Sequence, residues 1–124
     1  MRPFISLLFI VLGLTSIQSQ ELNKEISLED EKPFLLGKID KSGLTSENYN
    51  DWFSKNLEAY TPDEQTIQKL KTNLKDYQIT IFLGTWCGDS KREVPKFFKI
   101  LEACDFPEDQ LNVIALSRKP DMYK

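Results

Sequence analysis

Residues 78–117 read QITIFLGTWCGDSKREVPKFFKILEACDFPEDQLNVIALS. Two short runs rich in Ile, Leu, Val and Phe, QITIFLG (78–84) and LNVIALS (111–117), bracket a stretch of helical periodicity. Nearly continuous apolar runs of this length mark strands buried on both faces, as in parallel sheets sandwiched by helices. About 16 residues of helix between them suffice for a right-handed crossover. The stretch therefore predicts a βαβ unit, with Cys87 where the first strand passes into the helix. Val94, Phe97, Phe98, Leu101 and Cys104 share one stripe of that helix, which places Cys104 in the core. Pro95, inside the pattern, removes a backbone hydrogen bond and predicts a kink.

Upstream, FLLGKI (34–39) followed by the turn-like DKSG reads as a first strand. From Thr45 onward, Tyr49, Trp52, Phe53, Leu57 and Tyr60 form an apolar helical stripe. TPDE (61–64) reads as a fresh start, with Thr61 as N-cap, Pro62 at the first helical position and Glu64 closing a capping box. Ile67, Leu70, Leu74 and Tyr77 continue one face of that second helix.

The opening MRPFISLLFIVLGLTSIQSQ has a basic start, an apolar run from Phe4 to Leu14 and a polar end with small residues, which reads as a secretory signal peptide over residues 1–19. Its apolar run is about half of the roughly 20 residues that span a bilayer, so no membrane anchor is expected after cleavage. Residues 20–33, QELNKEISLEDEKP, mix charge with few apolar positions and read as a solvated, flexible leader without assigned structure. Residues 34–124 then form one small domain. The last seven residues, RKPDMYK, leave a sheet of two or three strands with an open edge, so the domain is expected to be incomplete at its C-terminus.

The net charge of −3 comes with no basic stripe, which argues against a nucleic-acid partner. The chain has no histidine, which removes Ser-His and Cys-His catalysis and the commonest transition-metal ligand. Two cysteines alone make a poor zinc site, so neither metal nor cofactor is expected. If one helix separates Cys87 from Cys104, they lie about 25 Å apart, against the ~7 Å limit for Cα atoms joined by a disulfide. At a helix N-terminus the Cys87 sulfur meets unpaired amide N–H groups and the positive end of the macrodipole, both favouring thiolate. Lys91 adds to this effect if it points inward, and Asp89 opposes it.

Trp86-Cys87-Gly88-Asp89-Ser90 resembles the thioredoxin active site W-C-x-x-C, with serine in place of the second cysteine. Glu93 and Pro95 extend the likeness to the W-C-x-x-C-x-x-E-x-P pattern of exported thioredoxin-like reductases of the TlpA/ResA kind. The resemblance implies an α/β thioredoxin-like fold, with helices on both faces of a mostly parallel sheet. It implies thiol-disulfide exchange with protein or low-molecular-weight disulfide substrates by a monomer. Cys87 would be the nucleophile, Ser90 would hold the thiolate and Glu93 would assist proton transfer, while Trp86, Gly88 and Asp89 would face the substrate. Two departures are visible: Ser90 cannot resolve a mixed disulfide, and no strand with the family's cis-proline follows Ser117, Pro120 coming too soon. The alternative expectation is a redox-inactive binding module of the same fold.

Overall fold

The computed structural model describes residues 20–123, so the signal-peptide reading of residues 1–19 lies outside the described residues. Strands β1 (Lys24–Ile26), β2 (Phe34–Ile39), β3 (Ile79–Leu83) and β4 (Leu111–Ala115) form one sheet in the order β1-β2-β4-β3. Helices α1 (Lys41–Leu44), α2 (Asn50–Ala59), α3 (Glu64–Leu74) and α4 (Gly88–Ala103) complete a mixed α/β architecture. Among the described residues no helix is long and apolar enough to cross a membrane.

The βαβ unit is present. β3 and β4 pair in parallel, from Ile79 opposite Leu111 to Leu83 opposite Ala115, and α4 makes the crossover. Parallel pairing is confined to this unit, so the expected mostly parallel sheet is instead mixed: β2 runs antiparallel to β4, and β1 antiparallel to β2. The short connection from Ile26 to Phe34 permits a hairpin but not the long crossover a parallel pair needs.

Four local expectations require correction. Residues 20–33, read as a leader without structure, contain β1. The strand is too short and polar to show an apolar pattern, yet Asn23 ties its start to the main sheet. The Asn23 backbone N–H donates to the Lys38 carbonyl at 3.0 Å, and its side-chain oxygen accepts from the Asp40 N–H at 2.9 Å. The N-cap of α3 is Asp63 rather than Thr61: the Asp63 carboxylate accepts from the Thr66 N–H at 2.9 Å and the Thr66 hydroxyl at 2.7 Å. A charged acceptor placed three residues before a free amide outcompetes a hydroxyl two residues further out. Tyr77, read as part of the α3 face, lies beyond the helix end and is 62 % exposed. β3 is not buried on both faces: burial alternates along it, with Leu83 in the core on one face and Thr80 and Phe82 exposed on the other, Phe82 by 65 %.

The core lies between the sheet and the α2–α4 pair. Leu35, Ile39, Leu83, Val113 and Ala115 from the strands meet Phe53, Val94 and Phe98 from the helices. Phe53 and Phe98 join α2 to α4 edge to face, with ring centroids 5.4 Å apart, a preferred aromatic geometry. The Asn56 side-chain amide adds a hydrogen bond to the Lys91 carbonyl at 2.9 Å. Pro95 is fully buried within α4, and Cys104 is buried at its end, whereas Phe97 turns outward and is 37 % exposed. This packing fixes the start of α4 against the ends of β3 and β4, where the candidate site lies.

Candidate functional site at the start of helix α4

After Leu83 the chain turns sharply through Gly84, Thr85 and Trp86 before entering α4. The Cys87 N–H donates to the Gly84 carbonyl at 2.9 Å, closing the turn, and the Cys87 carbonyl accepts the first helical bond from Lys91 N–H at 3.0 Å. Cys87 is thus the N-cap residue, with extended backbone (φ −87°, ψ 126°) and a half-buried side chain. Thr85 holds the turn to the sheet: its buried hydroxyl oxygen accepts from the Leu35 N–H at 3.1 Å. That bond spans fifty residues of chain, and nothing in the local sequence announces it.

The Cys87 thiol is held below its ordinary pKa. The backbone amides of Ser90 and Asp89 contribute first, followed by the Ser90 hydroxyl; partial burial and the Asp89 carboxylate push the other way. The sulfur makes no cap hydrogen bond of standard geometry, so the amides act on it chiefly as oriented dipoles at the positive end of the helix. The opposition of Asp89 is reduced by Arg92, whose guanidinium pairs with it at 2.9 Å on an open surface.

Ser90 is oriented from behind. Its oxygen accepts the Gly84 N–H at 3.2 Å, which leaves its single proton free to act on a neighbour, and the hydroxyl is among the groups that lower the Cys87 pKa. Gly84 itself is fixed by close approach: a Cβ there would stand 2.7 Å from Trp86 Cε2. The Trp86 indole lies across the ends of the two parallel strands, its Nε1–H donating to the Leu116 carbonyl at 2.8 Å, and remains 40 % exposed. Gly88 is exposed, and an added Cβ there would meet nothing within 4 Å. Its openness is a property of the surroundings rather than of glycine.

The structure therefore gathers Trp86, Cys87, Gly88, Asp89 and Ser90 around one sulfur, and it does not bring Glu93 there. Six residues of helix carry Glu93 about 9 Å along the axis and onto another face. Its carboxylate pairs with Arg92 at 2.6 Å and Lys96 at 3.6 Å. These partners, Arg92 foremost, hold its pKa below the ordinary carboxylate range. The Glu93 carboxylate is thus engaged with surface cations, and the proton-transfer role that the resemblance implies has no contact with the sulfur behind it. The two cysteines are free and cap opposite ends of α4. Burial pushes the Cys104 thiol up, the reverse of Cys87.

Beside the turn lies a cleft of about 590 Å³, to which Thr85, Trp86 and Lys91 contribute one wall and Trp52 of α2 another. Its outer rim is secured by Glu31, which binds Arg118 at 2.8 Å and Lys119 at 2.6 Å and so ties the loop before β2 to the segment after β4. No protein-family model, curated protein or solved structure matches the chain.

Proposed function

We propose that this chain is an exported thioredoxin-like thiol-disulfide oxidoreductase that works through one nucleophilic cysteine. The observation that carries the reading is the half-buried Cys87 sulfur at the mouth of α4, its pKa lowered by the Ser90 and Asp89 amides and the Ser90 hydroxyl. The parallel β3-α4-β4 unit and the Trp86-Cys87-Gly88-Asp89-Ser90 sequence support the family assignment. Export rests on the apolar N-terminal run.

In this reading the Cys87 thiolate attacks one sulfur of a substrate disulfide. A bond forms between the two sulfurs, the substrate S–S bond breaks, and the second substrate sulfur leaves as a thiolate. In this reading the Ser90 hydroxyl donates a hydrogen bond to the thiolate and retains its proton, and its oxygen cannot take the part of a resolving sulfur. The adduct at Cys87 therefore persists until an external thiol attacks it. Trp86 offers an exposed apolar wall beside the sulfur, and Gly88 leaves the approach clear.

The test is intact-mass analysis after exposure of the purified protein to a small disulfide. The expected result is a single long-lived adduct at Cys87, formed fastest above a pH lower than that of a free thiol and reversed by added thiol. An unmodified Cys87 that titrates like a free cysteine overturns the reading in favour of a redox-inactive binding module. Ser90→Cys is the companion variant: a competent groove gains multiple turnover in disulfide reduction.

A further inference from the structure

The cleft beside the turn that carries Cys87, lined by Thr85, Trp86 and Lys91 though not by Cys87 itself, has a charge pattern that the exchange chemistry does not use. Glu31 and Arg118, both on its wall, satisfy one another. Asp30, Lys32, Asp51 and Lys91 also line it, and among the described residues none of the four has an ion-pair partner. Two carboxylates and two ammonium groups thus face one concavity, with the indoles of Trp52 and Trp86 in its lining. Lys91 is half-buried and lies one helical turn after Cys87, on the same side of α4. The volume of about 590 Å³ falls inside the ~300–1,000 Å³ range of small-molecule clefts.

We propose that this cleft binds a zwitterionic low-molecular-weight thiol or its disulfide, of amino-acid to short-peptide size, as the second reactant at Cys87. The ligand carboxylate meets Lys91 and Lys32, and its ammonium group meets Asp51 and Asp30 beside indole faces, which attract cations. The inference rests on the proposed exchange reaction and names the partner that reaction lacks. With Ser90 unable to resolve the adduct, a thiolate from outside must reach the Cys87 sulfur. A small thiol seated in this cleft lies against Thr85 and Trp86, which precede Cys87, and Lys91, one turn after it, and approaches the sulfur across that edge. Its sulfur forms a new S–S bond with the substrate sulfur of the adduct, the bond to Cys87 breaks, and Cys87 departs as the thiolate it was at the outset. Run with the small disulfide as oxidant, the same exchange loads Cys87 and releases one equivalent of small thiol.

The experiment compares adduct formation at Cys87 with L-cystine, which is zwitterionic, and with bis(2-hydroxyethyl) disulfide, which is uncharged. The quantity read is the ratio of the two second-order rate constants. Any effect of a variant on the ionisation of Cys87 changes both constants and cancels. Lys91→Gln should lower the cystine-to-hydroxyethyl ratio roughly threefold, the scale of one partly screened charge contact, and the Lys91→Gln/Asp51→Asn pair roughly tenfold. A ratio that stays constant across the variants while both disulfides react overturns the cleft inference and leaves the exchange reading standing. The exchange reading itself is separated by binding: in Cys87→Ser, L-cystine should still change indole fluorescence saturably, and Lys91→Gln in that background should weaken the response. Saturable binding without any reaction at the native Cys87 overturns the exchange reading alone; neither binding nor reaction overturns both.

Discussion

Ser90 shows how much a single hydroxyl contributes when its lone pair is already occupied. Because Gly84 N–H donates to its oxygen, the Ser90 side chain is held beside Cys87, and its hydroxyl is one of the groups that lower the thiol pKa. Ser90→Ala removes that donor and leaves the Gly84 amide unmatched. The expected outcome is a Cys87 pKa shifted upward and, near neutral pH, alkylation by iodoacetamide slowed about fivefold, equivalent to roughly 1 kcal/mol for one hydrogen bond. A pH–rate profile of alkylation reads both. An Asp89→Asn profile should move the other way, because the Asp89 charge opposes ionisation. At this scale the sequence was informative. Cys87 and Ser90 were identifiable from their place at a strand-to-helix junction, and the two sulfurs could be assigned opposite environments. What could not be read was orientation: the Gly84–Ser90 bond, the Thr85–Leu35 bond and the turning of Glu93 toward Arg92 depend on how the turn folds back, not on the order of residues.

Among the elements, the ends of the helices decide more than their interiors. α3 begins where Asp63 meets Thr66, and that contact holds the Asp63 carboxyl below its ordinary range. Asp63→Ala should lower stability by about 1 kcal/mol in thermal or urea unfolding, as loss of an N-cap does, whereas Thr61→Ala should leave the midpoint within error. The two glycines around Cys87 make a sharper contrast. Gly84→Ala drives a methyl group into the Trp86 indole and should cost about 1–3 kcal/mol. Gly88→Ala enters open space at a helical position and should be neutral or stabilising by up to about 1 kcal/mol. Equilibrium unfolding of the pair checks both signs. Helix and strand positions were legible wherever apolar periodicity was strong, as for β2, α2, α4 and β4. They were illegible where it was weak: β1 is three residues long, and its pairing with β2 is decided by Asn23 and the hairpin rather than by pattern. The two-sided burial expected of β3 fails because an apolar run reports composition and not which faces of a strand the rest of the chain covers.

For the whole molecule, the α2–α4 contact is the keystone, since it presses the start of α4 onto the sheet. Phe53 is fully buried against Phe98, so Phe53→Ala should cost about 3–5 kcal/mol. It should also release the environment of the sulfur, seen as loss of the depressed Cys87 titration in whatever fraction remains folded. Stability should depend on pH through Cys87 in a defined direction. Its thiol pKa is lowered on folding, so the unfolded chain binds more protons between the folded and unfolded values. The resulting stabilisation is fully present above the unfolded pKa, and is lost as pH falls through the folded one. Cys87→Ser should remove this rising contribution and leave the opposite one from Cys104, whose thiol is pushed up by burial, measured as the unfolding midpoint from pH 6 to pH 10. α4 also carries a practical asymmetry. The sulfur at its first turn is open and easily ionised, while the sulfur at its last turn is enclosed and reluctant. A maleimide dye added in mildly acidic buffer should therefore land at a single address, giving an optical reporter of whatever enters the neighbouring cleft without any engineered handle.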